Sequence, residues 1–564
     1  MPGQRRRSAG FTPPDRPGFV PGTDWPEPQP PFRPSPELLR RHRARVLWPA
    51  DEVPADDRAP ISPTVYRYEY LLGPRAVIGD EAFRDFVRTV LAETGLGLGT
   101  EPGDPQDIGV AAFFLVPLPA EQRDRPVEQP VDAWPVLQRI RFRARGTRFV
   151  RHAARLSLEH LLFGTDLLTP GISGLPATEG HPATEGHPAT EGHGGPPGAT
   201  GYQGRVPLTV LADAPARRAV ADLPAGRRPV IAVLDTGTGA HPWLDPATPA
   251  QADFLIDSAV LSWSPVEPIP DPEQSGTLVA PLVGTLDTHA GHGTFIAGLV
   301  RQIAPDARHL PVPVMYSDGV VHDRDLINAL TALHQRIASG NPDHFVDVLS
   351  LSLGYYHERP EDEAYTNNEL SDVLWRIADL GVAVVTSAGN DATVRPMFPA
   401  ALAAVPNQPL TPLTSVGALN PNGTKAIYSN DADWVTAWEP GTALVSTFPT
   451  TFQGSWTPSL RIPGGQPALT REAVDPDDFS GGFGRWSGTS FASPVFAARL
   501  ARTLLDAADR SRKSGQLRDV TPAAAARRAR GGLKSATPTK TTPTKTTPTK
   551  TAPVRRRARK AQGS

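Results

Sequence analysis

The sequence offers a carboxylate and an imidazole that could cooperate in proton transfer. Asp235 ends the apolar run V-I-A-V-L and precedes Thr-Gly, so its side chain would leave a strand at a tight turn. His292 lies in A-G-H-G-T-F-I-A-G, at the start of a helical pattern, where the helix dipole disfavours a permanent imidazolium. A neutral imidazole can act as a general base. His289 competes for this role but lacks the flanking glycines.

A nucleophile and an oxyanion donor are also available. Ser490 stands in W-S-G-T-S-F-A-S-P at a predicted helix start, where its own N–H and the helix dipole would face a developing oxyanion. Asn390 closes V-V-T-S-A-G-N, and its amide would be a second donor. Taken alone, each of these residues also fits an ordinary turn or helix cap. Their joint occurrence within one segment needs a common explanation.

The elements that must position these residues lie between about 228 and 512. Short apolar runs alternate there with amphipathic helical patterns of about 10–17 residues. Such alternation predicts an α/β fold, in which a parallel β-sheet carries helices on both faces. Chemistry in these sheets collects at the carboxyl ends of the strands. Asp235 and Asn390 both follow predicted strands.

Four motifs carry a resemblance to a known family. D-T-G, G-H-G-T, S-A-G-N and G-T-S-F-A-S-P follow one another in this order, each at a predicted strand or helix end. The order of Asp, His and Ser resembles that of the subtilisin-like serine proteases, the subtilases. The resemblance covers roughly residues 225–512, about half of the chain. It implies a subtilisin-like fold and a serine endopeptidase that forms an acyl-enzyme.

The resemblance also implies a role for each motif residue. Ser490 would be the nucleophile and His292 its general base. Asp235 would orient His292, and Asn390 would donate to the oxyanion. The segment S-L-S-L-G resembles the family's substrate-binding strand, beside which a peptide adds as an extra strand. The implied substrate-binding residues are Ser352, Leu353, Gly354, Ala388 and Gly389.

The sequence departs from compact family members in several places. Long intervals indicate insertions at about 245–285 and 450–482, and Phe295 stands where a second histidine often follows H-G-T. These departures bear on substrate specificity, although the small Ala388 and Gly389 predict room for a mid-sized or large side chain. No cofactor and no metal ligands are assigned. Many subtilases carry structural calcium, but no Asp/Asn cluster here has convincing ligand spacing.

Three alternatives compete with the endopeptidase, and the residues argue against two of them. A sedolisin-type peptidase would carry glutamate in place of the histidine, and His292 in G-H-G-T argues against it. An α/β-hydrolase esterase would need G-x-S-x-G around its serine, which W-S-G-T-S-F does not supply. The alternative from another class is a catalytically silent scaffold that binds peptides in a retained subtilase cleft.

The remaining chain is predicted to form one small domain, linkers and tails. Strand patterns near 65–72 and 108–116 and helical patterns near 80–94 and 133–142 predict a small α+β domain, either a propeptide or a retained regulatory domain. A propeptide would be cut between about 193 and 228. The predicted organisation begins with a disordered Pro-rich N-terminus at 1–60, followed by the α+β domain at 61–175. A flexible repeat-containing linker at 176–224, with a candidate closing strand at 204–212, leads to the subtilisin-like domain at 225–512. The chain ends in a disordered basic tail at 513–564.

Composition excludes several classes of protein and predicts a location. The absence of cysteine excludes disulfides, thiol nucleophiles and cysteine-ligated zinc. No apolar run approaches the ~20 residues of a membrane-spanning helix, and no export signal is recognised, so a cytoplasmic protein is expected. The basic tail carries no nucleic-acid-binding motif and would bind polyanions weakly. The protein is expected to be a monomer, and its expected partner is a polypeptide substrate.

Overall fold

The computed structural model contains an N-terminal domain (34–165) and a main domain (205–536). Within the chain, the residues that the structure describes are 34–48, 61–100, 107–119, 121, 130–165, 205–249, 251–274, 276–279, 286–359, 368–406, 408–452, 460–462, 471–473, 478–511 and 515–536. Most of the predicted linker, with its A-T-E-G-H-P repeats, and the end of the basic tail lie outside the described residues. In the described part of the chain, no helix combines the length and apolarity needed to cross a membrane.

The N-terminal domain packs helices against one face of an antiparallel sheet. Its elements are α1 (Pro36–Arg41), β1 (Ala44–Leu47), β2 (Thr64–Pro74), α2 (Arg75–Ile78), α3 (Glu81–Ala92), β3 (Leu96–Leu98), β4 (Val110–Pro117), α4 (Ala133–Ala144), α5 (Val150–Ala154) and β5 (Ser157–Gly164). The strands lie in the order β5-β2-β4-β3, with β1 beside β2. Phe83 of α3 and Leu137 of α4 are fully buried in the core beneath the sheet. The strands predicted near 65–72 and 108–116, and both predicted helices, are present.

Two predictions about this domain need correction. Residues 36–47, predicted to be disordered, form α1 and β1, because Ser35 caps the helix and β1 pairs with β2. The candidate closing strand at 204–212 does not join this sheet. Its residues form β6, which pairs with a strand of the main domain, and the closing strand is β5.

The main domain is built on a six-stranded parallel sheet with strand order β14-β13-β12-β10-β7-β8. Its elements are β6 (Val206–Thr209), β7 (Val230–Asp235), α6 (His292–Ile303), β8 (Arg308–Pro313), β9 (Val320–His322), α7 (Asp323–Ala338), β10 (Val348–Leu351), β11 (Leu353–Gly354), α8 (Glu369–Asp379), β12 (Ala383–Ser387), β13 (Thr414–Leu419), β14 (Ala437–Pro440), β15 (Leu444–Thr447), β16 (Leu460–Ile462), β17 (Arg471–Ala473), β18 (Gly482–Trp486), α9 (Thr489–Ser511) and α10 (Pro522–Ala536).

The two faces of this sheet bury alternate residues of each strand. Ile231 and Val233 of β7 pack in one apolar cluster with α6 and α9. Ala232 and Leu234 point the other way, into a second cluster with α7 and α8. Strands buried on both faces read as continuous apolar runs. The predicted fold class, a parallel sheet between two helical layers, is confirmed.

The predicted disordered tail also needs correction, because α10 lies within it. Ala525, Ala526 and Ala529 of this helix are buried, the last of them in the apolar cluster of α9. The run P-A-A-A-A-R-R-A-R suits a helix, since alanine has the highest helix propensity and proline is tolerated in the first turn. The main domain therefore extends beyond residue 512.

The two domains are joined by strand β5. Its first half pairs with β2, and its second half lies antiparallel to β9 on one side and β11 on the other. Leu162 faces Val321, and Phe163 faces Val320 and Gly354. The end of the N-terminal domain thus runs as an inserted strand across the main domain.

Candidate active site

The carboxylate and imidazole singled out from the sequence are in direct contact. Asp235 is the last residue of β7 and His292 the first residue of α6, and both side chains are buried. Asp235 Oδ1 lies 2.7 Å from Nδ1 of His292 and accepts a hydrogen bond from the N–H of Thr236. Because a carboxylate only accepts, Nδ1 carries the proton and Nε2 keeps its lone pair. Nε2 is therefore the atom of His292 that can accept a proton as a general base.

The structure brings Ser490 to the same place. Ser490 is the second residue of α9, is fully buried, and its Oγ has no hydrogen bond to any other described residue. The rings of Trp486, four residues before it, and of Phe491, the next residue, pack against the imidazole of His292 at centroid distances of 5.4 and 5.0 Å. Ser490 therefore begins a helix beside the base.

Asn390 follows β12, and its amide has a fixed orientation. Its Oδ1 accepts a hydrogen bond from the N–H of Thr489 at 3.0 Å, which turns Nδ2 the other way. Nδ2 donates to the carbonyl oxygen of Thr165. The same carbonyl accepts the N–H of Ser490 at 2.9 Å. Two donors thus converge on one carbonyl oxygen, which is the geometry of an oxyanion hole.

The carbonyl in this position comes from the chain itself. Thr165 directly follows β5, and its N–H donates to the carbonyl of Ser352 at 3.1 Å. Gly389 donates its N–H to Thr489 Oγ1 at 3.1 Å. Leu353 and Gly354 pair with β5 in antiparallel register. The implied substrate-binding strand therefore lies beside an extended segment of this same protein. Ala388 is fully buried, with its carbonyl bonded to Asn430.

Sequence reasoning missed Glu273, which lies within the predicted insertion at 245–285. It is buried and accepts hydrogen bonds from the hydroxyls of Thr236 and Thr294 and from the N–H of Gly293. Burial raises its pKa to about 7, against the lowering effect of the two threonine hydroxyls. Nothing in the segment P-E-Q-S-G predicts that Glu273 is buried beside the candidate site, because its hydrogen-bond partners come from β7 and α6.

His289, the competing base, contacts other groups. Its Nδ1 lies 3.0 Å from the hydroxyl of Thr288, and its backbone N–H donates to Ser317. Its ring stands beside Gly164 of β5 and beside Gly319. The hydrogen bond between His292 Nδ1 and Asp235 favours His292 as the base.

A cluster of buried charges surrounds β5 upstream of Thr165. His160 Nε2 lies 2.8 Å from Glu358, and the pKa of His160 is raised to about 9 because the carboxylates of Glu358 and Asp323 outweigh the lowering effect of burial. Glu159 lies 3.4 Å from Arg67, yet burial still raises its pKa to about 8. These contacts tie the strand to both domains.

One group in the described residues has metal-compatible spacing, namely His160, His357 and Glu358. Two imidazoles are not the oxygen ligands that calcium selects, so this group does not fit the calcium that the family suggests.

Comparison with known proteins identifies the family. The model of the subtilase family, Peptidase_S8, matches residues 226–544. A curated relative named "Extracellular protease" from Xanthomonas campestris pv. campestris is 25% identical over 296 residues, 50% of this chain and 44% of the relative. The chain therefore spans less than half the length of that relative. The relative's name contradicts the predicted cytoplasmic location, which is wrong. That prediction rested on the lack of a recognised export signal and of a membrane-spanning run.

Solved structures similar to this chain carry related names. A cold adapted subtilisin-like serine proteinase is 18% identical, with a TM-score of 0.32 over 54% of this chain and 81% of the other. A lanthipeptide protease is 20% identical, with a TM-score of 0.34 over 51% and 78%. The family match rests on its own extent, since residues 226–544 make up more than half of the sequence. The chain belongs to the subtilase family.

Proposed function

We propose that the chain is a serine endopeptidase that hydrolyses peptide bonds through Asp235, His292 and Ser490. One observation carries the proposal. The carbonyl oxygen of Thr165 accepts hydrogen bonds from Asn390 Nδ2 and from the N–H of Ser490, while His292 is bonded to Asp235. A peptide carbonyl held by two donors at a serine beside an oriented imidazole is the arrangement that acyl transfer requires.

In this mechanism the Ser490 hydroxyl oxygen attacks the carbonyl carbon while its proton passes to Nε2 of His292. The charge that develops on the carbonyl oxygen is stabilised by Asn390 Nδ2 and the N–H of Ser490. His292 then gives the proton to the leaving amine, and an ester on Ser490 remains. Water, deprotonated by the same imidazole, hydrolyses that ester and restores the hydroxyl. Asp235 holds the imidazole and stabilises its charged form.

The substrate of the first turnover is proposed to be the chain's own N-terminal domain, acting as a propeptide. Strand β5 lies between β9 and β11 as an added strand, the mode in which proteins bind extended peptides. The carbonyl between the oxyanion donors belongs to Thr165, so the bond cut would be Thr165–Asp166. This position replaces the expected one between 193 and 228, which rested on the composition of the linker alone.

Self-cleavage tests both parts of this proposal. The wild-type chain and Ser490→Ala are incubated side by side at neutral pH and followed by intact mass. We expect wild type to yield one fragment ending at Thr165 and another beginning at Asp166, and the variant to stay whole. Cleavage at another bond, in wild type alone, would overturn the assignment of Thr165 but keep the peptidase.

The catalytically silent scaffold makes the opposite prediction. It would leave wild type whole, leave Ser490 unlabelled by a fluorophosphonate, and hydrolyse no casein. Labelling of Ser490 without cleavage would instead indicate an active enzyme whose N-terminal domain is retained for regulation. The two outcomes separate the propeptide from the regulatory domain.

The site of action is proposed to be outside the cytoplasm. The curated relative is named an extracellular protease, and this name is the support for the proposal. Fractionation of the native host, with antibody against the main domain, tests it. Recovery of the protein solely with cytoplasmic markers would contradict it.

A further inference from the structure

We infer that the cleft selects polypeptides in which glycine is followed by threonine, and that it cuts after the threonine. This inference rests on the proposed peptidase function and names its substrate class. Three side chains carry it: Ser387 contacts the threonine hydroxyl, Met397 limits the size of the pocket, and His289 limits the preceding residue. Each faces the strand segment that ends at Thr165.

The threonine hydroxyl is held by a polar partner in a buried pocket. Oγ1 of Thr165 lies 2.5 Å from Oγ of Ser387 and 3.2 Å from the carbonyl oxygen of Ser352. Ser387 is fully buried, and its Oγ lies 3.5 Å from the carbonyl of Leu351. A valine would put a methyl group where the hydroxyl lies, too close to Ser387 Oγ, and would leave that hydroxyl without its partner. Sites built around a substrate hydroxyl discriminate strongly against analogues that lack it.

The side chain of Met397 limits the size of the residue that this pocket accepts. Gly354 and Gly389 frame its walls, but the side chain of Met397 lies between them. A Cβ added at Gly354 would meet Met397 Cε at 2.6 Å, and one at Gly389 would meet its sulfur at 2.4 Å. Met397 is buried and lies against both glycines that frame the pocket. It therefore takes up part of the room predicted from Ala388 and Gly389 for a mid-sized or large side chain.

The residue before the threonine is restricted by His289. A Cβ added at Gly164 would lie 2.3 Å from Nε2 of His289, well inside van der Waals contact. The ring cannot swing away easily, because its other side faces Gly319, where an added Cβ would meet it at 2.3 Å. Thr288 further fixes its Nδ1. Glycine is the residue that fits beside this imidazole.

The chain's own sequence agrees with this selectivity. The linker 166–204 holds eight glycines before the last G-Y-Q-G run, yet no Gly-Thr pair occurs anywhere within it. A peptidase with this preference would leave its own linker uncut and cleave after the Gly164-Thr165 pair, at the Thr165–Asp166 bond.

The test uses peptides with the sequence of residues 161–168, L-L-F-G-T-D-L-L, and the full-length chain. The threonine is replaced by valine, alanine or phenylalanine, and the glycine by alanine. Ratios of kcat/KM between peptides are compared, because they do not depend on how much of the enzyme has lost its N-terminal domain. We expect the threonine peptide to exceed the valine peptide by about 10- to 100-fold, and glycine to exceed alanine at the preceding position.

Variants assign the effect to residues. Ser387→Ala should bring the Thr/Val ratio close to one, and Met397→Ala should raise the rate on the phenylalanine peptide relative to threonine. Ser415→Ala is the matched control, a buried serine on the neighbouring strand β13, and should leave all ratios unchanged. Should Ser387→Ala fail to fold, the wild-type ratios and Met397→Ala still decide.

Different outcomes of the peptide assay would contradict the selectivity and the peptidase activity. Equal kcat/KM for threonine, valine and phenylalanine peptides would overturn the selectivity and leave the peptidase standing. Hydrolysis of every peptide at no more than the level of Ser490→Ala would overturn the peptidase itself.

Discussion

Replacing Glu273 by glutamine should change the free energy of unfolding in a pH-dependent way. The value for the variant, relative to that for wild type, should be higher at neutral pH than at acidic pH. Glu273 is buried between β7 and α6, where it accepts hydrogen bonds from Thr236, Gly293 and Thr294. Burial raises the pKa of its carboxyl from 4.5 to about 7. Glutamine has nearly the same shape and stays neutral at every pH.

The expected magnitude follows from proton linkage. Below pH 4.5 the carboxyl is protonated in folded and unfolded chains alike. Between pH 4.5 and 7 the unfolded chain releases the proton while the folded chain keeps it, so rising pH favours unfolding. Above pH 7 both are ionised and the full cost is present. At about 1.4 kcal/mol per unit, a pKa raised from 4.5 to about 7 costs wild type roughly 3 kcal/mol.

The assay compares free energies of unfolding by denaturant at pH 4.5 and pH 8, with both proteins carrying Ser490→Ala so that self-cleavage does not interfere. The difference between Glu273→Gln and its parent should shift by up to about 3 kcal/mol in favour of glutamine on going to pH 8. The constant cost of the lost hydrogen bonds cancels in this comparison. Glu37→Gln, on an exposed side chain, is the control. A difference that is equal at both pH values would refute the buried, titrating carboxyl.

Three further predictions concern the site and the domain junction. Asn390→Ala should lower kcat about 10²–10³-fold in a peptide assay, because the N–H of Ser490 remains as oxyanion donor, and an unchanged kcat would contradict its role. His292→Ala should abolish hydrolysis, roughly 10⁶-fold, while His289→Ala keeps it; the reverse result would exchange their roles. The pKa of His160 is raised to about 9, so its contact with Glu358 stabilises the junction fully below about pH 6.5 and is lost as pH rises through 9. Size-exclusion chromatography of the cleaved protein should therefore show more release of the N-terminal fragment at pH 10 than at pH 8, and His160→Gln should reduce that difference.

The sequence predicts where the candidate catalytic residues lie because each of them stands at the end of a strand or the start of a helix. Asp235 and Asn390 come directly after apolar strands, and His292 and Ser490 open helices, so the alternation of patterns alone brings them to one edge of the sheet. The strand and helix patterns determine where these residues lie, and the motifs determine which residue types occur there.

What the sequence does not predict depends on distant partners. Strand β5 reads S-L-E-H-L-L-F-G, with two titratable residues at its centre. Glu159 and His160 are buried there only because Arg67 and Glu358 come from other elements. Glu273 is hidden for the same reason, since the hydroxyls that hold it lie on β7 and α6. Charge complementarity across long sequence separations leaves no local pattern to find.

The pairing of β5 with strands of both domains explains how one segment serves both of them. Residues 157–160 pair with β2, inside the N-terminal domain, and residues 161–164 pair with β9 and β11. The first half anchors the strand, so the second half reaches the cleft as an intramolecular ligand, and little further entropy is lost when it binds. Cleavage after Thr165 would break the covalent link to the main domain but none of these strand pairings. The same pairing that presents the substrate would therefore retain the product, and release of the N-terminal domain would depend on weakening the buried charges beside β5 rather than on the cleavage itself.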